Sequence, residues 1–139
     1  MQRIMTSTAL VFAGALLLSG CTAGGGGSSP SADPCETVQS EVRDISNGAQ
    51  NALAAGGDPS EVQSTLEDYS VRVTELGETT SDEVSTELEA LTGALDDAAE
   101  FAATLPSDPE AEVDSEAVAE HQTAIQDAAT SASEACSAE

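Results

Sequence analysis

The chain has no lysine and no tryptophan, and its 139 residues include one histidine, one tyrosine and two phenylalanines. Its only bases are Arg3, Arg43 and Arg72, set against 26 acidic residues, for a formal charge of −23 at pH 7. Nucleic acid is excluded as a partner, because phosphate contacts need Arg or Lys to release counterions. The same charge repels anionic lipid surfaces, and is otherwise read as keeping the protein soluble and unassociated. Phe12 lies in an N-terminal apolar run, so Tyr69 and Phe101 are the aromatics left for a domain, too few for base-stacking or sugar platforms. One histidine cannot supply the constellations of common hydrolases or di-iron bundles; the latter need Glu-x-x-His pairs, and the residue three before His121 is Val118. His121 is expected as a partly buried spacer on a helix. No stretch of strand length alternates apolar and polar residues, so a sheet is not expected. Nothing here assigns a reaction or a cofactor, and the chain is read as a non-enzyme.

What is present begins at the N-terminus. Met1 to Thr8 carry Arg3 and precede the apolar run from Ala9 to Leu18. That length suits the apolar core of an export signal and falls short of the roughly 20 residues needed to span a bilayer. Leu18-Ser19-Gly20-Cys21 comes immediately after. These residues resemble the lipobox signals that bacterial signal peptidase II processes, with all four positions matching. The resemblance implies a signal peptide over residues 1–20, cleavage before Cys21, a diacylglycerol thioether on Cys21 and often an acyl chain, such as palmitate, on its new amino group. Two or more chains make a durable anchor, since each buried CH₂ contributes about 0.8 kcal/mol. The expected location is extracytoplasmic, lipid-anchored to the outer face of the cell membrane. Thr22 stands where many Gram-negative inner-membrane lipoproteins have Asp, and the composition, without lysine and rich in Ala, Thr, Ser, Asp and Glu, resembles small lipoproteins of high-GC Gram-positive bacteria.

Residues 21–32 then read as the lipidated cysteine and a Gly/Ser-rich tether, whose about 11 linker residues have a root-mean-square span of roughly 20 Å. The glycines are not a phosphate loop, because no Gly-Lys-Ser/Thr comes after them. Residues 33–139 are predicted as one acidic helical domain, a small up-down four-helix bundle. Four capping signals set the count. Asp33-Pro34-Cys35-Glu36 and Asp58-Pro59-Ser60-Glu61 each pair an acceptor with proline at the first helical position. Thr80-Ser81-Asp82-Glu83 is a third box, and Asp108-Pro109 a fourth, with a start that can slip to Asp114 or Ser115. Between them the apolar spacing is helical: Cys35, Val38, Val42, Ile45, Ala49 and Leu53, stopped by Gly56-Gly57; Val62, Leu66, Tyr69, Val73 and Leu76, ending at Gly77; Val84, Leu88, Leu91, Leu95, Ala98, Ala102 and Leu105, before Pro106. The fourth helix is poorer, with Val118, Ile125 and Ala132 interleaved by His121, Ala128 and Ala135. Gly48 and Gly93 are candidate breaks, each costing about 1 kcal/mol relative to alanine; both helices are nevertheless expected to run through.

With Cys21 taken by the lipobox, Cys35 and Cys136 form an even pair in an oxidising setting, and a disulfide is predicted. It would join the first turn of the first helix to the last turn of the fourth, ends that meet in an up-down bundle when the helix number is even. A metal or redox pair lacks a supporting His or Cys-x-x-Cys spacing. The disulfide end would face the membrane, while the turns at Gly56-Gly57 and Pro106-Ser107 point away.

One constellation has the spacing to hold a hard cation: Asp108, Glu110, Glu112, Asp114 and Glu116, acids at alternate positions whose oxygens could converge on one ion. The match to an EF-hand loop fails, because Val113 occupies the glycine position and no acid falls at the twelfth, so a solvated acidic loop is the expectation. Asp96-Asp97 and Glu87-Glu89 read as the wet face of the third helix. The leading functional expectation is a non-catalytic protein-interaction or structural module of the cell envelope, its partners the membrane, through the lipid, and an envelope or secreted protein. The alternative is a module binding a divalent cation or a small apolar ligand between small side chains.

Overall fold

The computed structural model describes residues 33–108 and 110–138; the signal peptide, the lipobox and the tether expected over residues 1–32 lie outside the described residues. Four helices occur in order, α1 Pro34–Ala55, α2 Pro59–Gly77, α3 Asp82–Ala102 and α4 Ser115–Ser137, with no strand among the described residues. The all-α four-helix fold expected from the capping signals and apolar spacing is the fold observed.

Local chemistry explains the first two starts. Asp33 and Asp58 each accept a hydrogen bond from the backbone N–H two residues on, at 3.0 and 2.9 Å, with proline in the first helical turn behind them. α1 stops at Gly56, whose φ of 61° and the 113° of Gly57 suit glycine and turn the chain into α2 within residues 56–58. The third start falls inside the expected box but one residue past Thr80, at Ser81, whose side chain makes no capping hydrogen bond.

Two boundaries differ from the sequence reading. α3 ends at Ala102 rather than continuing through Leu105; Leu105 sits in the next turn, its N–H bonded to the Ala102 carbonyl at 3.1 Å, and still packs on the core. Asp108 does not open α4. Its carboxylate accepts from Glu110 N–H, and the Ala111 N–H closes a single turn on its carbonyl. Asp114 is the true N-cap: it accepts from both Glu116 and Ala117, at 3.0 and 3.2 Å. The two aspartates differ in the residues on their C-terminal side. After Asp108 come exposed Glu110, Ala111, Glu112 and Val113, whereas after Asp114 the spacing of Val118, Ile125, Ala129, Ala132 and Cys136 lays a face on the core.

The helices form a ring in which each packs against its two neighbours, α2 and α3 most extensively and α1 and α2 least. Contacts between side chains show the alternation of direction. Glu41 meets Arg72 and Gly48 lies under Tyr69, so α1 and α2 run oppositely. Ser70 reaches Asp96 while Gly77 approaches Ser85, so α2 and α3 do too. Cys35 joins Cys136 and Gln50 meets Gln126, which sets α4 antiparallel to α1. The centre is filled by Ile45, Leu66, Leu88, Leu91, Leu95 and Ile125, each at most 1 % exposed. The buried residues of α4 are Ile125, Cys136 and otherwise alanines, with Val118 partly buried beside them. Such a face buries little apolar area per residue, and its stabilisation depends on close approach.

Candidate functional site

At one end of the bundle the predicted disulfide is present. Cys35 and Cys136 are bonded with their Cα atoms 5.5 Å apart, closing 101 residues of sequence separation. The Gln39 side chain, one turn into α1, donates to Cys35 Sγ at 3.5 Å and to Ser137 Oγ at 2.8 Å, tying the same two helix ends. Because Asp33 caps α1 here, the chain preceding the domain joins it at this end. The α2–α3 turn lies at the same end, and a cleft of 580 Å³ is lined by Val38, Val84, the two cysteines, Thr79 and Thr80.

Along the α1–α4 seam, small alanines are joined by amides. Gln50 donates to Ser46 Oγ and to Gln126 Oε1, both at 3.0 Å, and Gln122 donates to the Gln50 carbonyl at 3.0 Å. Hydrogen bonds between side chains supply here part of what apolar area supplies between α2 and α3. On the α1–α2 side, the Tyr69 ring lies over Gly48, where an added Cβ would stand 2.6 Å from Tyr69 Cζ. Arg72 sits 5.7 Å from the same ring centroid and makes a 2.6 Å ion pair with Glu41. Gly48 is therefore a close-approach position inside an unbroken helix. Gly93 is equally helical, but an added Cβ there meets nothing within 4 Å.

His121 is half-buried, as expected of a spacer, and stacks on Phe101 with ring centroids 4.6 Å apart and planes inclined by 26°. This contact brings together the domain's one histidine and its one phenylalanine at the α3–α4 interface. Asp96, assigned to the wet face of α3, is indeed exposed, yet its Oδ1 accepts from the buried Ser70 hydroxyl at 2.6 Å. The bond gives this exposed carboxylate a contact across the α2–α3 interface.

The candidate cation ligands Asp108, Glu110, Glu112, Asp114 and Glu116 are all exposed. Asp108 and Asp114 spend a carboxylate oxygen on local backbone N–H groups. Among the described residues, no three His, Cys, Asp or Glu side chains come together as a metal-binding set. Hydrogen bonds from the Ser60 hydroxyl and then the Ser60 N–H hold the Asp58 carboxyl below the usual range.

Sequence reasoning missed the buried serines Ser46 and Ser70 and the role of Gly48. Ser46 and Ser70 each stand one residue after Ile45 and Tyr69, next to the apolar stripe, which was the available signal. No sequence signal marks the approach of Tyr69 to Gly48, since it depends on how α1 and α2 cross. Among the described residues, no helix is long and apolar enough to cross a membrane. The chain matches no protein-family model, no curated protein and no solved structure.

Proposed function

We propose that the protein is a lipid-anchored, extracytoplasmic, non-catalytic module that presents a disulfide-closed helical bundle to another envelope or secreted protein. The observation that carries this reading is the order of features in the sequence: apolar export run, Leu18-Ser19-Gly20-Cys21, Gly/Ser tether, then a domain beginning at Asp33. The Cys35–Cys136 bond supports it, because disulfides persist in oxidising compartments and are rare in the cytosol. The tether meets the domain at the disulfide end, so the turns at Gly56-Gly57 and Pro106-Ser107 face outward from the membrane. The long negative surface favours a stand-off posture, since it is repelled by anionic headgroups.

The experiment is fractionation of cells expressing the full chain and a Cys21→Ser variant, combined with crosslinking in the intact envelope. Cys21→Ser should leave the membrane fraction, and the wild type should be captured with a recurring protein. Unchanged membrane retention of Cys21→Ser would refute the anchor; no recurring partner under several growth conditions would refute the interaction role.

A further inference from the structure

The end of the bundle opposite the disulfide holds a second cleft, of 500 Å³, between the α1–α2 turn and the α3–α4 connection. Leu53, 3 % exposed, forms its floor, and half-buried Leu105 and Pro106 form one wall. Val113 stands at its edge with 45 % of its surface in solvent, one of two large apolar side chains exposed among the described residues; the other, Val71, lines neither end of the bundle. Opposite, Gly56 and Gly57 present bare backbone, and a Cβ added at either would meet nothing within 4 Å. The floor and one wall are thus apolar, and the opposite side is open backbone.

The surroundings of this cleft carry charge of one sign. Asp58 and Asp108 line it, and exposed Glu110, Glu112 and Asp114 lie along the same connection. Neither arginine of the domain is near. Arg72 is held by Glu41, beside the Tyr69 ring, and Arg43 lines the α1–α4 groove together with Gln39 and Ser137 from the disulfide end.

We propose that this outward cleft docks a segment of a partner protein that presents an apolar side chain flanked by lysine or arginine. The inference rests on the interaction-module reading and names the partner's chemistry. An apolar side chain entering the cleft removes Leu53, Leu105 and Val113 from water, while its basic neighbours meet the carboxylates of the rim. A second copy of this chain, acidic overall, is repelled; the rim therefore selects a basic partner.

The test has two arms, both on the full chain. In the first, amide shifts are followed while a synthetic peptide of alternating leucine and lysine is added, with serine–lysine and leucine–glutamate peptides as controls. The leucine–lysine peptide should shift residues 53–58 and 105–113, and Val113→Ser should weaken it at least about fivefold, the loss expected from one valine's apolar contact. Glu110→Gln with Glu112→Gln should weaken it as well and flatten its salt dependence. Equal binding of the serine–lysine peptide, or shifts confined to other surfaces, would overturn the proposal. In the second arm, a photo-crosslinking side chain is placed at Val113, or at exposed Ser64 on α2, in cells. Crosslinks from position 113 to a peptide with an apolar residue between bases support the proposal. Crosslinks from position 64 alone overturn the cleft and leave the interaction role standing, and none from either position overturns both.

Discussion

Gly48 and Gly93 are both helical glycines far from any end, yet the structure requires opposite outcomes when each becomes alanine. At Gly93 an added methyl meets open space, so the substitution removes unfolded-state freedom and gains helix propensity, about 0.5–1 kcal/mol. For a domain near this size that is a rise of about 4 °C in melting temperature. At Gly48 the same propensity gain is available, but the new Cβ would stand 2.6 Å from Tyr69 Cζ and closer still to its hydroxyl oxygen. The ring can escape only by swinging out of the α1–α2 groove or by pushing α1 away. Either movement loses the packing of Tyr69 and disturbs Arg72, which lies over the ring and pairs with Glu41. Overpacking of this kind costs about 1–3 kcal/mol, so after the propensity gain Gly48→Ala should destabilise by up to about 2 kcal/mol. Urea melts of both variants, with Gly48→Ala repeated in a Tyr69→Ala background, complete the measurement. Removing the ring should turn Gly48→Ala from destabilising to stabilising. If Gly48→Ala and Gly93→Ala raise stability equally in the native background, Tyr69 does not seat on Gly48 and the packing of α1 on α2 is wrong.

The remaining expectations are independent of that pair. Reducing Cys35–Cys136 should lower the melting temperature appreciably, since a closed loop of about 100 residues contributes at most about 4.7 kcal/mol in the chain-entropy model; equal melts with and without reductant would contradict it. Asp114→Ala should cost about 0.5–2 kcal/mol by urea denaturation and Asp108→Ala far less, because Asp114 caps α4 and Asp108 closes only a turn. Asp58 is held below its usual range by Ser60, so its contribution is fully present above the unfolded value of 3.8 and is lost as pH falls through the lower folded value. The wild type should therefore lose its advantage over Asp58→Ala across that window, and a difference independent of pH would refute the assignment. Millimolar Ca²⁺ should give no saturable rise in melting temperature beyond that of NaCl at equal ionic strength, because the acids from Asp108 to Glu116 are exposed and partly spent on backbone N–H groups. A saturable rise would favour a cation-binding role.

The helices and their number were legible in the residues themselves. Asp33-Pro34 and Asp58-Pro59 start helices because an apolar stripe comes after each, the three-and-four spacing of Val38, Val42, Ile45, Ala49 and Leu53 leaves only one face to bury, and two cysteines in the first and last helices join cleanly only in an even up-down bundle. These are local or topological constraints, satisfied before any helix crosses another. The tertiary structure decided what depends on distance across the bundle. It chose Asp114 over Asp108, because Glu110, Ala111, Glu112 and Val113 lay no face on the core, whereas the residues from Val118 onward do. It made Gly48 a seat for Tyr69, turned Asp96 toward Ser70, and set Phe101 against His121, none of which leaves a period in the sequence. It also opened the cleft at the Gly56 end, whose walls come from residues about 50 positions apart in the chain that only the antiparallel packing of the helices brings together.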